Sequence, residues 1–376
     1  MKLTIIEHFE ELEDPRQAGK IEHQLSDIIL LCISALLCGA EGWHDIEIFG
    51  EARLDWLKKY GNFENGIPVD DTIARVMSAL NSKQFESCFI NWMKSATTAT
   101  KGDVVSVDGK TLRRSFDRKN SKRAIHMVSA FAKKNGVVLG QSKTKEKSNE
   151  ITAIPELLDL LEIKGCIVTI DAMGCQQKIT KKIIQKEADY VIMVKGNQGY
   201  LYEDIISFFT ICHEENFKNV PFDYFEEVDN AHGRMEIRRY WITNYLKDIR
   251  DTGKWESLKT IGMVESERHL GDKVTHDKRY YINSISPQAK VFSHAVRGHW
   301  GIENTLHWTL DMTFREDESR IRRDNAAENL AVLRHIALNT LRNEKTFNKS
   351  IKAKRYKATL ESDYTDKLIQ PLIAGF

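Results

Sequence analysis

The stretch Val104-Val105-Ser106-Val107-Asp108-Gly109-Lys110 predicts the centre of the fold. It is a short run of β-branched apolar residues that ends in a carboxylate, and glycine and a basic tract follow it. Apolar runs of this length that end at a turn signal are typical of buried strands. The dipeptide Asp108-Gly109 can equally begin a simple turn, so from this stretch alone both interpretations stay open.

A second stretch of the same form favours a site. Cys166-Ile167-Val168-Thr169-Ile170-Asp171 is again a buried-type strand closed by an aspartate. The predicted order is three strands from Val104 to Ser142, a helix, the strand ending at Asp171, a second helix and the strand Tyr190 to Val194. This β-β-β-α-β-α-β order is the ribonuclease-H-like arrangement, in which the first and fourth strands are neighbours. Asp108 and Asp171 are therefore expected to form a paired-acid site.

The composition is that of an ordinary globular protein. The chain has 376 residues, 41% of them hydrophobic and 29% charged, with a formal net charge of +1. This length allows two or three domains, and a near-neutral charge does not by itself indicate nucleic-acid binding. The six cysteines show neither a C-x-x-C pair nor zinc-type spacing. No apolar run reaches the roughly 20 residues that span a bilayer, and the acidic N-terminus does not resemble a signal peptide. We expect a cytoplasmic protein without a membrane partner.

The basic residues are unevenly distributed. Lys110 to Arg123 contains seven basic residues against one aspartate, and Arg342 to Lys357 contains seven against one glutamate. Charge blocks are usually solvated faces or tails. Because the first block directly follows a candidate catalytic acid, it is also a candidate to contact an anionic substrate.

The expected fold class is α/β. A ribonuclease-H-like catalytic core, with a mixed five-stranded sheet and helices, is interrupted by a β-rich insertion and preceded by an all-α N-terminal domain. The predicted domains are a helical N-terminal domain (1–98), the first part of the core (103–198), the β-rich insertion (199–293), a helical completion of the core (294–343) and a basic C-terminal tail (344–376).

A third carboxylate is predicted in the final helical segment. On an α-helix, Glu303 shares a face with His299, Trp300, Leu306, His307 and Leu310. A charged residue on such an aromatic and apolar face needs a partner, a metal ion or a proton. An ordinary i,i+4 pair between Glu303 and His307 is an equally good interpretation.

The motifs together resemble the DDE-type insertion-sequence transposases of the H-repeat-associated group. The match extends from near the N-terminus to about Leu341. The motifs that carry it are FEELEDPRQAGKIEHQLSDIILL (Phe9 to Leu31), IPVDDTIARV (Ile67 to Val76), VDGKTLRRS (Val107 to Ser115), KSNEITAIPELL (Lys147 to Leu158), DAMGCQ (Asp171 to Gln176), VKGNQG (Val194 to Gly199), HGRMEIR (His232 to Arg238), HWGIENTLHWTLD (His299 to Asp311) and IRRDNAAENLAVLRHIALNTL (Ile321 to Leu341).

The resemblance implies that Asp108, Asp171 and Glu303 form the acidic triad of a metal-dependent DNA transposase. Three carboxylates make an all-oxygen site for two Mg²⁺ ions, with Mn²⁺ as a substitute. The wider superfamily has a Tyr, an Arg and a Lys around its Glu, whereas this chain has Val296, His299 and Leu310 at those positions. His307, Arg297 and Arg322 are the candidate replacements for these phosphate contacts.

The resemblance also defines the expected contacts and partners. The predicted DNA-binding residues are Lys110, Arg113, Arg114, Lys195, Arg297, His307, Arg322 and Arg323, and the predicted supporting residues are Gln176, Asn197 and Asn304. The expected partner is double-stranded DNA, as terminal inverted repeats and target, bound by a homodimer on paired ends in the cytoplasm at the nucleoid. Trp300 and Trp308 are either core residues or stacking partners for an unpaired base.

Two other functions remain open from the sequence. One is a degenerate or domesticated transposase-derived protein that binds DNA without strand transfer. The other is a ribonuclease-H-like nuclease that cleaves DNA without joining it.

Overall fold

The chain forms two compact units, and each of them is built from separate segments of the sequence. The computed structural model describes residues 4–96, 101–116, 123–144, 150–231 and 233–374. The first unit, called here the helical unit, combines Met1–Thr98, Gly109–Asn149 and Glu303–Phe376. The second, called here the sheet unit, combines Ala99–Asp108 and Glu150–Ile302.

The helices and strands of the described residues follow one another in this order. The helices are α1 (Ile5–Glu10), α2 (Leu25–Leu37), α3 (Trp43–Leu57), α4 (Asp70–Ala79), α5 (Ser82–Ala96), α6 (Glu150–Leu160), α7 (Gln177–Gln185), α8 (Tyr200–Glu214), α9 (Ala289–Gly301), α10 (Trp308–Thr313), α11 (Ala326–Asn343), α12 (Ile351–Leu360) and α13 (Ser362–Ala374). The strands are β1 (Val104–Thr111), β2 (His126–Ala132), β3 (Val137–Thr144), β4 (Ile167–Ile170), β5 (Asp189–Val194), β6 (Asp223–Ala231), β7 (Arg234–Thr243), β8 (Thr260–Leu270) and β9 (Lys273–Asn283).

Two helices from distant parts of the chain form the core of the helical unit. In α2 every residue from Asp27 to Leu37 is buried, and in α11 every residue from Ala326 to Leu341 is buried. A helix without a solvent face needs neighbours on all sides. Accordingly α11 packs against α2, α4 and α5. The N-terminal helices, expected as a domain of their own at 1–98, thus share a unit with the C-terminal helices.

The segment 344–376, expected as a basic tail, folds into α12 and α13. Two of its basic residues are buried because they satisfy carbonyl groups at the ends of other helices. Arg355 donates from Nε to the Leu36 carbonyl (3.0 Å) and from Nη2 to the Ala40 carbonyl (3.0 Å). Lys354 Nζ donates to the Leu341 carbonyl (2.8 Å). Cations at helix C-termini are favourable because the last carbonyls lack partners within the helix.

The hairpin predicted after the basic tract is confirmed. β2 and β3 pair antiparallel, and Gly136 in the turn between them has a φ of +68°, which glycine adopts without strain. The side chain of Asn339 on α11 accepts from the Val138 amide and donates to the Val138 carbonyl, both at 2.9 Å. It therefore acts as a strand partner for β3. The strand order on this side is β3-β2-β1.

The sheet unit contains a mixed sheet in the order β1-β4-β5-β9-β8-β7-β6. β1, β4 and β5 are parallel, and α6 and α7 provide the connections that parallel strands need. From β5 onward the pairing is antiparallel. The large mixed sheet, the surrounding helices and the helical N-terminal region confirm the α/β class.

The β-rich insertion differs from the expectation in one respect. Its strands do not stand apart from a five-stranded core, because β9 pairs with Val191 to Val194 of β5 and continues the sheet. An end strand of a parallel sheet exposes unpaired backbone groups, and an added strand satisfies them. Across the described ranges, no helix is both long and apolar enough to cross a membrane.

Candidate active site

Asp108 and Asp171 lie side by side at one edge of the sheet unit. β1 and β4 pair in parallel, and their last matched residues are Val107 and Ile170. Each aspartate is the residue that directly follows its matched residue, and neighbouring strands lie about 4.8 Å apart. The predicted neighbour relation of the first and fourth strands is confirmed. β1 continues to Thr111, so Asp108-Gly109 is part of a strand rather than a turn.

The carboxylate of Asp171 is held by the turn that follows it. Its Oδ1 accepts from the amides of Met173 (3.0 Å) and Gly174 (3.2 Å). A Cβ at Gly174 would lie 2.2 Å from Ile170 Cγ2, so the turn can close on the strand only with glycine. From the end of β5, Asn197 Nδ2 donates to the Ala172 carbonyl (2.8 Å) and Gln198 Nε2 to the Cys175 carbonyl (2.5 Å).

A polar relay joins the same strands to the C-terminal end of α9. Thr169 Oγ1 donates to Ser106 Oγ (3.1 Å), and Ser106 Oγ donates to the Gly298 carbonyl (3.0 Å). Ser106 and Thr169 each stand two residues before an aspartate, so all four side chains belong to the same face of their strands. Ser106 and Thr169 are not among the predicted site residues, although a polar residue at the same position of two apolar strands was a usable signal.

His299, the residue after Gly298, lies near Asp171. Burial lowers the pKa of His299 to about 4, although the Asp171 carboxylate and a hydrogen bond with the Thr169 backbone act in the opposite direction. The imidazole is therefore neutral at pH 7. Its Nδ1 is buried and has no hydrogen-bond partner among the described residues.

Glu303 lies in the helical unit on a π-helical turn, Ile302–His307, between α9 and α10. The α-helical spacing assumed from the sequence is interrupted here. Glu303 is exposed, whereas Leu306 is fully buried, so the two do not share the expected apolar face. π-helical turns are rare and occur frequently at functional sites.

Lys110 is the centre of a partly buried charge cluster in the helical unit, called here the lysine cluster. Its members are Lys110, Asp311, Glu316, Asp317 and Arg334. Lys110 Nζ bonds to the Asp311 carboxylate and lies 2.7 Å from Glu316 and 3.9 Å from Asp317. Its side chain is 11% exposed, and that of Glu316 is 2% exposed. Arg334 Nη1 lies 3.7 Å from the other oxygen of Glu316.

The two cations of the lysine cluster determine the ionisation of Glu316. Burial alone would raise its pKa, but Lys110 and Arg334 lower the pKa of Glu316 to about 2. Burial opposes the charge on Lys110 as well, but Glu316 and Asp311 raise the pKa of its ammonium group above the ordinary value. Lys110 is thus a paired, largely buried cation, in contrast to the freely accessible phosphate contact that the basic tract suggested.

The other predicted DNA contacts are more accessible. Arg113 and Arg114 are exposed, and Arg113 Nε lies 3.0 Å from Asp317. Residues 117–122 of the basic tract are outside the described residues. Further exposed basic side chains are Lys195, Arg322 and Arg323. Arg297 is partly exposed and lies 3.5 Å from Glu227 and 3.7 Å from Asp229.

The remaining predicted site residues lie at the surface or partly below it. Gln176 is half-buried at the N-terminal boundary of α7, Asn304 is exposed, and His307 is half-buried. Trp308 is 59% exposed, and Trp300 stacks under the Arg279 guanidinium, 4.5 Å from the ring centre. Neither tryptophan is a core residue.

A different group of side chains has spacing suited to a metal ion. His44 Nδ1 lies 4.0 Å from Glu47 and 3.9 Å from Asp70. The three ligand atoms lie within 4.8 Å of one another. Glu47 also accepts from the Asp70 amide (3.0 Å), so its carboxylate has a capping role at α4. Because His44 and Asp70 are well exposed, an ordinary surface ion-pair group explains this arrangement.

Two family profiles match the sequence. The sequence profile described as "Transposase DDE domain" matches residues 99–340, and the profile described as "DDE_Tnp_1-associated" matches residues 6–93. The chain is a member of the DDE transposase family.

Two similar proteins indicate the group within this family to which the chain is related. "Putative transposase YncI" of Escherichia coli O157:H7 is 47% identical over 370 residues, covering 97% of this chain and 94% of the relative. "H repeat-associated putative transposase YhhI" of Escherichia coli K12 is 46% identical over 365 residues, covering 96% of each. These relatives confirm the resemblance to the H-repeat-associated group.

A shorter relative carries a different name. "Inactive transposase YbfQ" of Escherichia coli K12 is 64% identical over 74 residues, which is 20% of this chain and 88% of the relative.

Among solved structures, the piggyBac transposase synaptic complex with hairpin DNA aligns at 10% identity with a TM-score of 0.43. It covers 95% of this chain and 76% of its own.

Proposed function

We propose that the chain cleaves the ends of an insertion-sequence-like element and joins the resulting 3′-hydroxyl to target DNA. The observation that carries this proposal is the register of β1 and β4, which brings Asp108 and Asp171 to one edge of parallel strands. The strand orders β3-β2-β1 and β1-β4-β5 support a ribonuclease-H-like core, because they are the orders expected for it.

The chemistry of the acids suits Mg²⁺, with Mn²⁺ as a substitute. Carboxylates supply hard oxygen ligands. Two amides of the following turn donate to Oδ1 of Asp171 and orient its carboxylate. Asp108 would be shared by two ions, with Asp171 holding one and Glu303 the other. Bound Mg²⁺ would activate the attacking hydroxyl and stabilise the charge on the leaving oxygen.

Glu303 is the proposed third acid. It follows His299 by four residues, so the covalent chain limits their separation to roughly 14 Å. His299 interacts electrostatically with Asp171. The exposed position of Glu303 on a π-helical turn leaves its carboxylate accessible to an ion. An ordinary Glu303–His307 pair remains the competing explanation, and the variant Glu303→Gln tests it.

DNA is the proposed partner, as double-stranded terminal repeats and target. Arg113, Arg114, Lys195, Arg322 and Arg323 supply exposed positive charge. Such contacts neutralise phosphates and make binding salt-dependent. The exposed ring of Trp308 can stack on an unpaired base. A homodimer that holds two element ends, at the nucleoid in the cytoplasm, completes the proposal.

The test is a cleavage and joining assay on labelled element-end DNA with Mg²⁺. Wild type should nick the DNA and join it, and Asp171→Asn and Glu303→Gln should each lower the rate by at least about 100-fold. The matched control is Glu162→Gln, an exposed acid of the sheet unit that should retain activity.

The outcomes separate the competing functions. Equal activity in Asp171→Asn and wild type would remove the acidic pair from the mechanism. Nicking without joining would favour a ribonuclease-H-like nuclease. A retarded DNA band without cleavage would favour a degenerate DNA-binding protein.

A further inference from the structure

Lys110 connects β1 to the segment that carries Glu303. It stands two residues after Asp108 on β1, and its ammonium group bonds to Asp311 on α10. α10 follows the π-helical turn of Glu303 without a break, so Asp311 is eight residues beyond Glu303. The second partner, Glu316, lies 2.7 Å from Lys110 on the short helical turn that follows α10.

The burial of these groups makes the connection strong. An ion pair in water contributes little, but removing one partner of a buried pair leaves an uncompensated charge. Lys110 and Glu316 are both largely excluded from solvent, and Arg334 contacts Glu316 from α11. Among the described residues, Nε and Nη2 of Arg334 have no hydrogen-bond partner, so Arg334 acts on Glu316 through its charge.

We propose that Lys110 is a positioning residue that holds the Glu303-bearing segment, Ile302 to Thr313, against the C-terminal half of β1. This inference rests on the proposed function for its catalytic meaning. The contacts themselves all lie within the helical unit. Lys110 thereby ties α10, which follows the turn of Glu303, to the part of β1 that belongs to the helical unit.

A phosphate contact is the competing role for Lys110. Its ammonium group is enclosed by three carboxylates, two of them at bonding distance. A DNA phosphate would have to displace these carboxylates and would meet their negative charge. Arg113 and Arg114 are exposed three and four residues further along and are better placed for that role.

The first test measures local protection without any DNA or metal. We expect Lys110→Met to raise the amide exchange rates of Ile302 to Thr313 by about tenfold or more. The matched control is Lys143→Met, since Lys143 on β3 also bonds a buried glutamate, Glu328 of α11. This control should leave the Ile302 to Thr313 segment protected. Lys349→Met, at an exposed lysine, should change nothing.

The second test measures catalysis on element-end DNA. Lys110→Met should lower the cleavage rate and raise the half-saturating Mg²⁺ concentration by about 10–100-fold, as the loss of an outer supporting group does. Lys110→Arg, which keeps the charge, should restore part of both. Combining Lys110→Met with Glu303→Gln should cause no further loss beyond that of Glu303→Gln.

Several outcomes would overturn the proposal. Unchanged exchange in Lys110→Met would do so, and so would an equal rise of exchange in Lys110→Met and Lys143→Met at Ile302 to Thr313. A weaker DNA affinity with unchanged exchange would make Lys110 a phosphate contact. If Lys110→Met does not fold, Asp311→Asn decides by the same exchange criterion. Inactivity of the wild type would overturn the proposed function alone, because the exchange experiment needs no activity.

Discussion

Two groups of carboxylates in this protein differ in their surroundings far more than in their sequence context. Asp108 and Asp171 follow the last paired residues of two parallel strands, where the sheet edge begins. Asp311 and Glu316 contact the Lys110 ammonium group, and Arg334 contacts the other oxygen of Glu316. In the first group, two amides of the following turn orient Asp171. Acids of the second group are already neutralised, so their charge stabilises the fold.

The largest expected effect separates these roles through stability. Glu316→Gln should lower the free energy of unfolding by about 3–5 kcal/mol, because it leaves Arg334 and Lys110 buried with less compensation. Asp171→Asn should change it by less than about 1 kcal/mol, since an amide oxygen can still accept from Met173 and Gly174. Urea denaturation followed by circular dichroism measures both. Equal stability of the two variants would contradict the distinction.

A second prediction concerns the pH dependence of stability that is caused by His299, which lies near Asp171. Burial lowers the pKa of His299 to about 4 from an ordinary value near 6.5. The unfolded chain therefore binds more protons than the folded chain between these values, and stability falls as the pH decreases from about 6.5 to about 4. His299→Gln should remove up to roughly 3 kcal/mol of this loss.

The control for this pH effect lies in the helical unit. Burial also lowers the pKa of His335 to about 4, so His335 produces a loss in the same pH window. His299→Gln should consequently retain part of the acid sensitivity, and a double variant with His335→Gln should retain less. A pH profile of His299→Gln that coincides with wild type would show that His299 titrates normally.

A smaller effect concerns the turn that holds Asp171. Asn197→Ala removes the donor to the Ala172 carbonyl and should lower stability by about 1 kcal/mol. Because that carbonyl belongs to the residue after Asp171, the cleavage rate should fall by about tenfold. Asn304→Ala, at an exposed residue, is the matched control and should lower stability by less than about 0.5 kcal/mol. Thermal unfolding and the cleavage assay together test the pair.

The arrangement of β1 and β4 was predictable from the sequence because the pattern that indicates a strand is local. The apolar runs before Asp108 and Asp171, and the order of elements between them, were sufficient to predict that β1 and β4 are neighbours. The hairpin signal Asn135-Gly136 was equally local. The family resemblance then supplied Glu303, which no local pattern distinguishes from an ordinary helical glutamate.

The lysine cluster was not predictable, for a physical reason. A run of basic residues indicates a solvated face, and only the tertiary structure brings Asp311 and Glu316 to Lys110 from about two hundred positions away. The π-helical turn at Glu303 was not predictable either. It interrupts the 3.6-residue spacing from which Glu303 was assigned to an apolar helix face. The packed helices α12 and α13 were hidden because Lys354 and Arg355 bind helix carbonyls rather than water.

The smallest expected effect tests where the basic tract meets DNA. Arg113→Gln and Arg114→Gln should each weaken binding of any DNA sequence and reduce the slope of log K against log salt by about 1, because each removes one phosphate contact. Lys110→Met should leave this slope unchanged, since its charge is neutralised by carboxylates within the fold. Fluorescence anisotropy over a salt series measures the slopes. A reduced slope in Lys110→Met together with an unchanged slope in Arg113→Gln would exchange the two roles, and would make the lysine cluster part of the DNA interface.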